Sequence, residues 1–113
     1  RRPRRGGGTI ETWVYCNLPG GYTVISKGAT QAATTFRLYI QGSGLVSLQL
    51  GNSSVSAGLV QFQKWNHVAV TWTGAGGGNY AVKFYINGKF INQLLLATSI
   101  PITNDPIRIG NLQ

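Results

Sequence analysis

Glu11 and Asp105 are the only carboxylates in this 113-residue chain, and His67 is its only histidine. Glycoside hydrolysis needs two carboxyl groups flanking the scissile bond, about 5–9.5 Å apart. Here the two acids stand near opposite ends of the sequence, and no segment carries an acidic pair. Nucleophilic catalysis is no better served. His67 has no serine or cysteine at a telling spacing, and no serine sits in a nucleophile elbow. Without a second histidine or a nearby cysteine, His67 has nothing to share a metal with, so a structural hydrogen-bonding role is expected. Cys16 is the single cysteine and has no disulfide partner within the chain. It falls in an alternating apolar stretch, so a buried free thiol is expected. The chain is therefore read as a non-enzyme with no cofactor.

Charge is the other conspicuous chemistry. Ten cations against two acids give a net charge of +8, and four of the ten are Arg1, Arg2, Arg4 and Arg5. RRPRRGGG reads as a basic arm over residues 1–8, with Pro3 blocking regular structure and three glycines as a joint. Four arginines with no interleaved aromatics offer charge to phosphates or to an acidic neighbour, but no base readout. A solvated tail is the competing reading. The arm leaves residues 9–113 as one mildly basic domain, large enough for its own core. No apolar run approaches the ~20 residues of a membrane-spanning helix, and no secretory leader is expected.

The elements that must position these residues are strands. Val68, Val70 and Trp72 alternate with His67, Ala69, Thr71 and Thr73; Tyr80, Val82, Phe84 and Ile86 alternate with Ala81, Lys83 and Tyr85. Period-2 alternation of β-branched and aromatic residues marks half-buried strands. Gly74–Asn79 separates the two as a loop, and Asn87-Gly88 fits the two positive-φ positions of a type I′ hairpin turn. Residues 65–90 thus predict a three-strand antiparallel meander. Upstream, Thr9–Cys16 sets Ile10, Thr12, Val14 and Cys16 against Glu11, Trp13 and Tyr15. Further strands are expected at Tyr22–Lys27, Phe36–Gln41, Leu45–Leu50 and Ala57–Gln61, with Asn52–Ser56 a loop and Phe62–Asn66 a corner. Phe90–Leu96 is apolar on both faces, so burial on both sides is expected of it. Ile107–Gly110 closes the series. About nine strands with one apolar face each require a second sheet to cover the first.

WNHVAVTW, the glycine-rich loop, VKFYINGK and IRIG, together with IETWVY and VISKG near the start, resemble a laminin G-like domain of the concanavalin A-like jelly-roll superfamily. The resemblance runs from about Thr9 to Gly110. It implies an all-β, two-sheet antiparallel β-sandwich, and it fixes fold better than function. In the family pattern Trp65 would wedge the corner before His67. Some relatives bind calcium through loop oxygens, which makes Asn104 and Asp105 the candidate metal site. One carboxylate is a poor start toward about 6–8 oxygen ligands, and an Asx turn before Pro106 accounts for the pair.

Sugar binding is what the resemblance most often implies, and it needs aromatic platforms beside planar polar groups. Trp13, Tyr15, Tyr22, Tyr39, Tyr80 and Tyr85 are the available platforms. Tyr39 and Tyr85 lie opposite the apolar faces of their strands, so they are the expected exposed pair, with Asn79 and Asn87 as polar partners. The resemblance also implies a strand before IETWVY and another after IRIG. Their absence would leave Thr9–Cys16 as an open sheet edge, which templates pairing with another chain. Two functions follow as expectations: a non-catalytic carbohydrate-binding or adhesion module, and a structural subunit of a viral particle or surface appendage. The first implies a glycan partner. The second implies self-association or a strand-donating partner, with nucleic acid at the arm. Both place the protein outside the cell or on a particle surface.

Overall fold

A computed structural model describes residues 7–17, 22–27, 35–51, 53–98 and 107–109. Arg1, Arg2, Arg4 and Arg5 of the expected arm, and Asn104 and Asp105 of the candidate cation site, lie outside the described residues. Every regular element among those described is a strand: β1 Gly7–Tyr15, β2 Tyr22–Lys27, β3 Phe36–Ile40, β4 Leu45–Leu50, β5 Ser53–Leu59, β6 Trp65–Gly76, β7 Asn79–Ile86, β8 Lys89–Ala97 and β9 Ile107–Ile109. They form a four-stranded sheet, β1-β6-β7-β8, and a five-stranded sheet, β5-β4-β3-β2-β9. Each ladder is antiparallel. The chain is an all-β, two-sheet antiparallel sandwich.

The alternation does what its period requires. Val68, Val70, Val82 and Phe84 from one sheet and Leu38, Ile40, Val46, Leu48 and Leu50 from the other are wholly excluded from solvent. Each such side chain contributes about 1.5–3 kcal/mol on burial. Phe36 meets Trp72 between the sheets, with ring centroids 5.9 Å apart. The hydroxyl of Thr98, at the end of β8, donates to the Leu50 carbonyl of β4 at 2.9 Å.

The expected meander is β6-β7-β8, and Asn87 and Gly88 take φ of 54° and 78° as a type I′ turn demands. Five details depart from the sequence reading. The expected Gly74–Asn79 loop is mostly strand: β6 runs on to Gly76 through a bulge, and the chain reverses over Gly77 and Gly78 at φ of 63° and 79°. β5 begins at Ser53, inside the expected loop, because Ser53–Ser56 pairs with Ser47–Leu50. β1 begins at Gly7, since Gly7 and Gly8 extend the ladder opposite Thr73 and Trp72. Gly8 is there for space: a Cβ would stand 2.5 Å from the Trp72 indole. β8 is not buried on both faces. It is the outer strand of its sheet, and Phe90, Ile91 and Leu95 are exposed while Leu96 reaches the core.

The fifth departure is the corner. Trp65 does not wedge it; the side chain is exposed. Asn66, 1% exposed, does that work. Its Nδ2 donates to the carbonyls of Gln61 at 2.8 Å and Lys64 at 3.1 Å, and its Oδ1 accepts from the Gln61 N–H at 3.2 Å. A buried amide with its donors and acceptor all used fixes the strand-to-strand path. That fixed path decides which way the next residues face: Asn66 inward, Trp65 and His67 outward.

Candidate functional site

The β1–β6 register builds one surface from two distant segments. Trp13 lies opposite His67, Tyr15 opposite Trp65, and Glu11 opposite Ala69. All these residues alternate with core positions, so they share the outer face of the four-stranded sheet. Trp13 is 61% exposed, Trp65 64% and Tyr15 45%. The rings are ordered against one another. Trp13 and His67 are 5.1 Å apart and nearly edge-on; Tyr15 and Trp65 are 5.4 Å apart in the same manner. His67 is fixed from two sides. Its Nε2 is 3.2 Å from Glu11 Oε1, and its backbone N–H donates to Asn87 Oδ1 at 2.9 Å. The histidine bond thus crosses between strands far apart in sequence.

The aromatic face continues toward β8. Ala69 stands opposite Tyr85, and Tyr85 meets Phe90 at 5.6 Å. Ala69, with only a methyl group, stands between Glu11 of β1 and Tyr85 of β7 in the register. Five aromatic rings side by side on one face, those of Trp13, Tyr15, Trp65, Tyr85 and Phe90, are not the scattered apolar residues of an ordinary surface, and such patches mark binding sites.

The opposite face of the sandwich has a different character. Tyr39 and Arg37 alternate with Leu38 and Ile40, and they pair with Ser47 and Gln49 of β4. The Arg37 guanidinium lies 4.2 Å from the centre of the Tyr39 ring and donates to Gln49 Oε1 at 3.4 Å. Ser47 and Ser56 share a 2.6 Å hydroxyl–hydroxyl bond, and Gln41 donates to both. Ser47 and Gln49 are buried. This is a self-satisfied polar layer, with its groups turned toward one another.

The four residues expected at a ligand site therefore fall in separate places. Tyr85 lies on the aromatic face of the four-stranded sheet, and Asn87 stands at its margin beside His67. Asn87 is also structural, since its backbone N–H donates to the His67 carbonyl at 2.7 Å. Tyr39 is on the other sheet. Asn79 begins β7, at the end of the strand remote from Asn87. The residue that sequence reasoning passed over is Trp65. The alternation placed Glu11, Trp13 and Tyr15 together, but only the β1–β6 register brings Trp65 and His67 beside them. Cys16 is buried, and desolvation raises its thiol pKa above the usual value. Among the described residues no three His, Cys, Asp or Glu side chains converge as a metal site, and no helix is long and apolar enough to cross a membrane.

Comparison with known proteins supplies a lineage. A search of curated proteins by sequence finds no match. Among solved structures, the chain is similar to the CBM40 module of the Ruminococcus gnavus IT-sialidase bound to α2,3-sialyllactose, with TM-score 0.69 and 21% identity over 91% of this chain. Another structure of the same CBM40 module superposes with TM-score 0.64 and 20% identity over 94% of the chain. A third structure, bound to α2,6-sialyllactose, gives TM-score 0.56 and 20% identity over 80% of the chain. The chain spans 62%, 63% and 54% of those proteins' lengths. At this identity the likeness is one of fold. The family model described as the concanavalin A-like lectin/glucanases superfamily, of laminin G type, matches residues 3–113. The chain belongs to the concanavalin A-like lectin/glucanases superfamily.

Proposed function

We propose that the protein is a non-catalytic carbohydrate-binding module of adhesion type, and that it holds its glycan on the outer face of the four-stranded sheet. The observation that carries this reading is the exposed block Trp13, Tyr15 and Trp65 with the Glu11–His67 pair at its flank. A pyranose ring has an apolar face of C–H groups and an equatorial rim of hydroxyls. Exposed indole and phenol rings take the first, and a fixed carboxylate and imidazole take the second. The solved structures of similar fold, bound to sialyllactose, add support for sugar binding as a class. An extracellular or particle-surface location goes with this function.

The test is a glycan array followed by titration of the hits against wild type, Trp13→Ala and Trp65→Ala. Saturable binding that each substitution weakens about ten- to a hundredfold supports the reading. Binding that both leave at wild-type affinity removes the site from this face.

A second reading, a subunit of a larger assembly, rests on β1. Among the described residues β1 pairs only with β6, and no described strand lies along its other edge. It carries no proline or lysine to block an added strand. Light scattering on the purified chain distinguishes the two: a concentration-independent monomer removes self-assembly.

A further inference from the structure

The aromatic face has a shape and a charge, and together they select among sugars. We infer that the ligand of this face is a neutral, extended oligosaccharide lying obliquely across β1, β6 and β7, with Glu11 as the residue that orients it and turns acidic sugars away. This rests on the carbohydrate-binding reading above and names the class of glycan.

Length comes from the register. Tyr15 and Trp65 form one row, Trp13 and His67 the next, and Ala69, Tyr85 and Phe90 the one after. With strands about 4.8 Å apart and about 6.8 Å per two residues, Trp65 to Tyr85 spans on the order of 14 Å. A single hexose covers one ring of that stripe; a chain of several touches both ends. Between the two aromatic groups the register places Ala69, whose side chain is a single methyl.

Neutrality comes from the charged side chains that the described residues of this face present. Arginine is the side chain that grips a sugar carboxylate with two parallel hydrogen bonds. Among the described residues of this face none is arginine, and Arg37 belongs to the other sheet. Glu11 faces the path instead, half held by His67 and with its side chain 65% exposed. Its oxygens accept hydroxyl hydrogens and repel a second carboxylate. Lys83 lies one row beyond Tyr85, at the margin, where an exposed ammonium offers an attraction that salt screens.

The experiment measures affinity of the whole chain for four probes: glucose, lactose, a linear neutral hexose tetrasaccharide and α2,3-sialyllactose. Each is titrated at low and at physiological salt, on wild type, Trp13→Ala and Glu11→Gln. Expected are a tetrasaccharide bound at least about tenfold more tightly than glucose, and sialyllactose bound no more tightly than lactose at physiological salt. Trp13→Ala loses the tetrasaccharide. Glu11→Gln, which keeps the shape of the side chain, raises sialyllactose relative to lactose several-fold. Wild type favouring sialyllactose about tenfold over lactose, with binding still lost in Trp13→Ala, overturns the inference and leaves the carbohydrate reading standing. Equal affinity for glucose and the tetrasaccharide overturns the claim of an extended ligand. No binding of any of the four overturns both.

Discussion

Removing one indole from the outer face should separate binding from folding. An exposed ring that covers about 50–100 Å² of ligand contributes on the order of 1–3 kcal/mol, or about ten- to a hundredfold in affinity. Trp13→Ala and Trp65→Ala are expected to lose that much in calorimetric titration. Thermal melts of both should stay close to wild type, because neither ring lies in the core. Asn66→Ala should do the reverse. It removes the partner of the part-buried backbone groups of Gln61 and Lys64, at a cost of about 1–3 kcal/mol in denaturant unfolding. Cys16 adds a pH signature. Burial raises its folded-state pKa, so above about pH 8.5 the unfolded chain releases the thiol proton first and the folded state falls behind. Stability measured against Cys16→Ala should be constant below that pH and decline as pH climbs through the raised value. At this scale the sequence told which residues faced out on β1, since Trp13 and Tyr15 alternate with Val14 and Cys16. It was silent on Trp65, because a tryptophan before a strand reads equally well as corner or platform. Only the hydrogen bonds of Asn66 decide between the two.

At the scale of elements, local rules and long-range ones parted company. The β7–β8 hairpin was legible because Asn87-Gly88 is turn chemistry that few other pairs satisfy. Its disruption is correspondingly testable. Gly88 sits at φ 78° with open space around it, so Gly88→Val is opposed by backbone strain alone. A loss of about 1–2 kcal/mol is expected, seen first as faster hydrogen exchange in β7 and β8. Gly58 combines the two penalties. Its φ is 86°, and an added Cβ would stand 2.5 Å from Ile86 Cδ1 across the sandwich, so Gly58→Val should cost more than Gly88→Val. Burial of β8 was misjudged for a reason of context. A strand with apolar residues on both faces suits the middle of a layered structure, but β8 ends up at the edge of its sheet. Where β5 starts was also hidden, because Ser53, Ser54 and Ser56 look like loop until β4 supplies their ladder.

For the whole molecule, the two outer faces divide the labour. One is a polar layer closed on itself through Gln41, Ser47 and Ser56; the other presents aromatic rings to solvent. The fold class was legible from period-2 patterning and from the resemblance carried by the meander. The position of the site was not, because it depends on pairing β1, which ends at Tyr15, with β6, which begins at Trp65 with 49 residues between them, and residues 9–16 contain nothing that specifies that register. The chain holds three tryptophans, two on the aromatic face and Trp72 buried against Gly8 and Phe36. Their three indole N–H resonances therefore report the two environments separately. Titration of a neutral tetrasaccharide into 15N-labelled protein should shift the Trp13 and Trp65 indole signals together, in a saturable manner, and leave the Trp72 signal in place. Shifts confined to Trp72 or to residues around Tyr39, or an unchanged spectrum at saturating sugar, would contradict a glycan site on the four-stranded sheet.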